Sequence, residues 1–128
     1  MKDRILADTT LWIEFFRSSS KNGDRLESLL KEYAVWTCGM VMFELLQGIK
    51  LEGEKNKILD VLTGLPYAEM TKKLWQSGAE LSTALKKNGV NLPISDIFIA
   101  AIAIENDLSI YTLDKHFEQI PNLKLYRE

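Results

Sequence analysis

Four acidic side chains stand where a carboxylate needs a reason. Asp8 closes the short apolar segment Ile5-Leu6-Ala7, and Glu44 stands alone between Met40-Val41-Met42-Phe43 and Leu45-Leu46. Asp96 opens the most apolar stretch of the chain, Ile97 to Ile104, and Asp114 comes just after Ser109-Ile110-Tyr111-Thr112. Acids are almost never fully buried unless paired, and an unpaired one is driven to protonate. Few Arg or Lys residues neighbour these four in sequence, so the counter-charge they ask for is a bound cation. Carboxylates suit Mg²⁺ or Mn²⁺, which take hard oxygen ligands, few per ion, with water completing an octahedron. Glu27, Glu32, Glu52, Glu54, Glu69 and Glu80, by contrast, lie among lysines and polar residues, as solvent-facing acids do.

Each of the four has a plainer reading beside the metal one. Asp8 would cap a helix starting near Thr10. Asp96 sits where a helix dipole favours an anion, and capping would account for it taken singly. Asp114 would be an ordinary turn residue. Glu44 would need a helix whose polar edge reaches water. Four such coincidences together are less expected than any one.

The elements that must position these acids alternate along the chain. Ile5-Leu6-Ala7, Ala34-Val35-Trp36-Thr37 and Ser109-Ile110-Tyr111-Thr112 read as short buried strands, and Leu123-Lys124-Leu125-Tyr126 as a last one. Helices are expected from Thr10 to about Ser18-Ser19-Ser20 and through Leu26, Leu29, Leu30 and Tyr33, which keep i, i+3, i+4, i+7 spacing. Further helices are expected over Met40 to Leu46 with Gly48 as stop, from about Glu52 to Leu62, and from Thr71 to Lys87 with Asn88-Gly89 as stop. The stretch Ile97 to Ile104 is apolar on every face and so belongs in the interior. Short strands alternating with helices imply a parallel sheet covered on both faces, a three-layer α/β domain. In such a sheet the carboxyl ends of the strands form the ligand crevice, and Asp8 and Asp114 fall at such ends.

Composition narrows the chemistry. The length of 128 residues suits one domain spanning 1–128 without a disulfide or metal staple. Cys38 is the only cysteine and His116 the only histidine, which excludes a Cys/His zinc site and an internal disulfide. A Cys–His nucleophile and base pair would need those two residues to meet. No apolar run reaches the roughly 18 residues of a membrane span. The opening Met1-Lys2-Asp3-Arg4 and the early Asp8 do not make a signal peptide, so a cytoplasmic location is expected. A formal charge of −2 argues against nucleic-acid binding by bulk electrostatics, yet with the four acids set aside as neutralised ligands the remainder is +2. The remaining surface is mildly basic, without the strong positive field of a general nucleic-acid binder.

Asp8-Thr9-Thr10 with Trp12-Ile13-Glu14 resembles the opening of PIN-domain ribonucleases, specifically the VapC-type toxins of VapBC toxin–antitoxin modules. The similarity continues through Phe43-Glu44-Leu45-Leu46-Gln47-Gly48, Asp96-Ile97-Phe98-Ile99-Ala100-Ala101 and Thr112-Leu113-Asp114-Lys115-His116-Phe117. The order Asp, Glu, Asp, Asp and its spread over almost the whole chain match that family. The resemblance implies a three-layer α/β/α PIN-like domain with a central, mostly parallel sheet. It implies that Asp8, Glu44, Asp96 and Asp114 are catalytic and hold one or two Mg²⁺ or Mn²⁺ ions, with Thr9 and Thr112 as polar helpers. Thr10 departs from the Ser or Asn commoner at its position. Glu14 recurs in relatives and faces either the pocket or solvent.

The activity implied is metal-dependent endoribonuclease action on single-stranded or loop RNA, where unstacked bases are accessible. A metal would acidify water to attack the phosphodiester, and a second would stabilise the leaving oxygen. Arg17, Lys21, Lys50 and Lys115 lie near the acidic motifs, either as contacts to flanking phosphates or as solvated charge. His116 is expected to have a structural or incidental role. The resemblance also implies a homodimer and a cognate VapB-type antitoxin whose C-terminal segment fills the active-site groove. Trp12, Phe15, Phe16, Leu45 and Leu46 supply apolar surface for such a groove or for a dimer face, or are simply buried.

Two rival readings exist. A response-regulator receiver domain would want an acidic pair after the first strand, a phosphoacceptor Asp on a middle strand and a late Lys. Here Asp8 is followed by two threonines, and Thr37-Cys38-Gly39 ends the second strand without an acid. A catalytically silent binding module of the same fold is the other, and the presence of all four acids argues against it.

Overall fold

The computed structural model describes residues 3–17 and 20–127. Strand β1 (Ile5–Ala7) leads into helices α1 (Thr9–Phe16) and α2 (Lys21–Lys31), then β2 (Val35–Cys38), α3 (Gly39–Leu46) and α4 (Glu52–Leu62). The chain continues through β3 (Tyr67–Ala68), α5 (Lys72–Lys87), α6 (Ile94–Glu105), β4 (Ser109–Tyr111) and a 3₁₀ helix, Lys115–Gln119. Met1 and Lys2 of the opening segment, and Ser18-Ser19 at the expected end of the first helix, lie outside the described residues.

Local chemistry explains most boundaries. Asp8, Ser20 and Thr71 cap α1, α2 and α5, each accepting backbone N–H groups of the first turn. Gly48 and Gly89 follow α3 and α5 with φ of 80° and 78°, the left-handed conformation that ends a helix at least cost in glycine. Gly23 is a packing glycine. A Cβ there would stand 2.8 Å from the Glu14 carbonyl oxygen, so its absence lets α2 lie directly on α1.

The four strands form one parallel sheet in the order β3-β2-β1-β4. The connections from β1 to β2 and on to β3 step in one direction, and the one through α5 and α6 returns across the whole sheet to β4. Parallel crossovers are right-handed, so this reversal is what lays helices on both faces. Every residue of β1 is fully buried, and Ile97 through Ala103 of α6 join it in the core together with Leu11, Trp12, Leu26, Leu29 and Phe117. Each large apolar side chain removed from water contributes roughly 1.5–3 kcal/mol. The all-round apolar character of α6 thus has its physical reason, although its ends Ile94 and Ile104 are exposed. Among the described residues no helix is long and apolar enough to cross a membrane.

Two sequence expectations are corrected. Tyr33 does not extend the apolar face of α2. It lies past the helix end at φ 58° and is 85% exposed. The segment 123–126 is not a full strand: it joins the sheet at a single parallel bridge, Leu125 to Ile110, held by the Ile110 N–H to Lys124 and the Tyr126 N–H to Ile110 bonds at 2.9 and 2.8 Å, while the Tyr126 ring packs on that of Tyr111 at 5.0 Å. Conversely β3 is a strand that the sequence did not announce, being two residues long with only Ala68 buried.

Candidate metal centre

Strand β1 lies between β2 and β4, and its own connection leaves toward β2 while the chain reaches β4 from the far side of the sheet. Where connections diverge in this way, an open α/β sheet leaves a crevice outside the carboxyl ends of its strands. Asp8 emerges there from β1, and Thr112 and Asp114 from β4. Helix α3 starts directly at the end of β2 and carries Glu44, and α6, whose first turn holds Asp96, packs against both α3 and the 3₁₀ helix.

Asp8 is only 4% exposed. Its Oδ1 accepts from the backbone N–H of Thr10 at 3.1 Å and of Leu11 at 3.3 Å, and from the Thr10 hydroxyl at 2.5 Å. Its Oδ2 accepts from Thr112 Oγ1 at 2.5 Å. The register explains the second contact. Ala7 pairs with Tyr111, so Asp8 and Thr112 are the next rung of the β1–β4 ladder. Burial pushes the Asp8 carboxyl above the usual carboxylate range, and the four hydrogen bonds work against that rise. The capping role expected of Asp8 is therefore real, and it faces the crevice as well.

Asp96 is 8% exposed, yet α6 has Pro93 at its cap position and no side-chain cap. Capping does not account for it. Its Oδ2 lies 2.9 Å from His116 Nδ1. Burial raises its pKa, the His116 hydrogen bond opposes the rise, and the charges of Asp114 and Glu44 add to it. Asp114 caps the 3₁₀ helix: its Oδ1 accepts from the His116 N–H at 2.9 Å and stands 3.1 Å from His116 Nδ1. Glu44 is half-buried, and its Oε1 accepts from Thr9 Oγ1 at 2.7 Å.

The donor atoms that converge most closely are not all carboxylates. Asp96, Asp114 and His116 each offer one atom, and these atoms lie within 4.8 Å of one another. Asp8 is joined to this group through Thr112, whose hydroxyl also accepts the Asp114 N–H at 2.9 Å, and Glu44 through its charge on Asp96. His116, given an incidental role from the sequence, is a member of the centre. Its pKa is raised, first by the hydrogen bond to Asp96, against an opposing burial cost, and further by the charges of Asp114 and Asp96. The signal that could have found it is the Asp114-Lys115-His116 spacing: a side chain that bonds the backbone two residues on closes an Asx-type turn. Thr10 also does more than its sequence reading allowed, since its hydroxyl accepts the Leu113 N–H at 3.0 Å and anchors that loop.

Glu14 turns away from this group, accepting from Arg17 at 3.2 Å and from Ser20 Oγ at 3.1 Å. Arg17, Lys21, Lys50 and Lys115 are exposed. Of the apolar residues expected to build a groove, Trp12 and Leu45 are buried in the core, with Phe15 edge-on to Trp12 at 5.5 Å and Phe16 stacked on it at 6.0 Å. A groove of about 300 Å³ does exist beside them, lined by Ile13, Phe16, Leu45, Ile49 and Ile58 with Arg17 at its rim.

The profile of the PIN domain matches residues 5–123. The VapC ribonuclease Mb1587 of Mycobacterium bovis is 27% identical over 124 residues, covering 93% of this chain and 92% of the relative. Ribonuclease VapC2 of Rickettsia felis is 30% identical over 107 residues, 80% of each chain. Among solved structures, VapBC2 from Rickettsia felis, bound to a DNA fragment from its promoter, superposes with a TM-score of 0.79 at 23% identity over 95% of this chain and 96% of that one. VapC20 of Mycobacterium tuberculosis, a sarcin-ricin loop cleaving toxin, superposes with a TM-score of 0.71 at 15% identity over 97% of this chain and 99% of that one. These superpositions are evidence of fold, whereas the profile match and the Rickettsia relative are evidence of descent. With a parallel sheet that opens on acids at its carboxyl edge and sequence similarity along nearly its whole length, this chain belongs to the PIN-domain family.

Proposed function

We propose that the chain is an endoribonuclease, the toxin of a type II toxin–antitoxin module, that hydrolyses RNA phosphodiester bonds with Mg²⁺ or Mn²⁺. The carrying observation is the convergence of Asp96, Asp114 and His116 donor atoms within 4.8 Å, with Glu44 and Asp8 beside them. The donor set fits such an ion. It is rich in hard oxygens, and the charges of Asp114 and Glu44 raise the proton affinity of Asp96, as crowded like charges do until a cation neutralises them. The names of the relatives support the RNA substrate: VapC ribonuclease in Mycobacterium bovis, ribonuclease VapC2 in Rickettsia felis.

A divalent ion in this position supplies acidified water and offsets the charge of the phosphodiester. The chain's own residues hold and orient. Asp96 and Asp114 would hold the ion, and Glu44 is kept in place by the Thr9 hydroxyl. Asp8 is locked by Thr10 and Thr112, so its carboxylate keeps one orientation. Exposed Arg17, Lys50 and Lys115 would meet flanking phosphates. The reading extends to one PIN domain working in the cytoplasm, to a homodimer, and to a cognate antitoxin docking in the groove around Ile13 and Phe16. Solved relatives captured as toxin–antitoxin complexes support that partner.

The test is RNA cleavage by the purified chain with Mn²⁺ or Mg²⁺, beside EDTA and an Asp96→Asn variant. Cleavage that needs the metal and falls on the order of 100-fold in the variant is expected. Cleavage indifferent to EDTA, or undiminished in the variant, overturns the reading.

A further inference from the structure

His116 is the single histidine of the chain, and its Nδ1 sits 2.9 Å from Asp96 Oδ2 and 3.1 Å from Asp114 Oδ1. A ring nitrogen carries at most one proton, so one N–H cannot donate linearly to both oxygens. Asp114 Oδ1 is in addition already served by the backbone N–H of His116 at 2.9 Å. That bond closes a turn which delivers the imidazole to the carboxylates whether or not a proton is present. The spacing has a second meaning. Ligands about 2.1 Å from an octahedral ion stand about 3 Å apart along each edge, and both contacts have that length.

We propose that His116 Nδ1 is a direct ligand of the divalent ion, completing a face of its coordination shell with Asp96 and Asp114, and that this nitrogen biases the site toward Mn²⁺ over Mg²⁺. The inference rests on the metal-dependent nuclease reading and sharpens it. Both ions favour oxygen, but Mn²⁺, as a transition ion, accepts an imidazole nitrogen more readily than Mg²⁺, which holds to oxygen ligands.

The test uses the metal-stripped full chain, carrying no tag histidines, loaded with Mn²⁺ alone. Electron spin-echo modulation should show an imidazole nitrogen bound to the ion, and histidine labelled with the heavy nitrogen isotope should change that pattern in the unmutated protein. His116→Gln should abolish it. The side chain is 46% exposed, so the substitution leaves the core untouched. In competition titrations the variant should weaken Mn²⁺ binding tenfold or more, a loss seen even for residues that only orient ligands, and Mg²⁺ binding less. Mn²⁺ held without nitrogen modulation overturns the ligand assignment and leaves the nuclease reading standing. Equal weakening for both ions overturns the selectivity. Absence of Mn²⁺ binding to the unmutated chain overturns the nuclease reading itself, and the ligand assignment with it.

Discussion

Thr112 donates its hydroxyl proton to the Asp8 carboxylate across 2.5 Å, joining residues 104 positions apart in the chain. The same oxygen accepts the Asp114 N–H at 2.9 Å, so one side chain sets both the acid that ends β1 and the acid that follows β4. Thr112→Val keeps the shape and removes the hydroxyl. It leaves a buried carboxylate short of a donor and a backbone N–H short of an acceptor, each worth about 1–3 kcal/mol when unsatisfied. Urea unfolding should show a loss in that range, with RNA cleavage down roughly 10- to 100-fold. A fully active, fully stable variant would remove Thr112 from the centre.

Asp96 is held in the opposite sense, at a cost. Burial and the neighbouring Asp114 and Glu44 charges disfavour its ionised form. Replacement by Asn removes the charge and keeps an acceptor for His116. In EDTA the Asp96→Asn chain should therefore be more stable than the unmutated one at pH 7, by on the order of 1 kcal/mol, even as cleavage is lost. A clear loss of stability instead would mark Asp96 as a structural residue.

The metal-free protein should also respond to pH through His116. Its carboxylate partners raise its pKa in the folded chain. The folded state then binds more protons than the unfolded state above the ordinary histidine value of about 6.5. That contribution is fully present below this pH and is lost as pH rises through the raised folded value. Denaturation midpoints in EDTA should thus fall from pH 6 to pH 8 more steeply in the unmutated chain than in His116→Gln. Parallel profiles would contradict the contact.

The groove of Ile13, Phe16, Leu45, Ile49 and Ile58 is the surface proposed to receive the antitoxin. Ile13 is 43% exposed, so Ile13→Glu can place its charge in water in the free protein. Titration against the cognate antitoxin should show affinity reduced by about 2 kcal/mol, roughly 30-fold, if Ile13 anchors the contact. Cleavage by the free toxin should be unchanged. Unaltered affinity would place the antitoxin elsewhere.

How much of this was legible in the residues follows from how local each signal is. A carboxylate inside an apolar run, an N-cap before a helix, or a helix apolar all round is read within a few positions. That is why Asp8, Glu44, Asp96 and Asp114, the helix α6 and the parallel α/β plan follow from the sequence alone. The strand order is not local. That β4 pairs with β1 rather than extending beyond β3 decides that Thr112 meets Asp8, and no stretch of sequence encodes that register by itself. The same long return brings α6 against the turn after β4, and with it His116 between Asp96 and Asp114. A half-exposed histidine carries no hydrophobic signature to reveal such a place. The residues determined which acids would stand at the sheet's carboxyl edge, and only the packing of β4 and α6 against them decided which donor atoms meet.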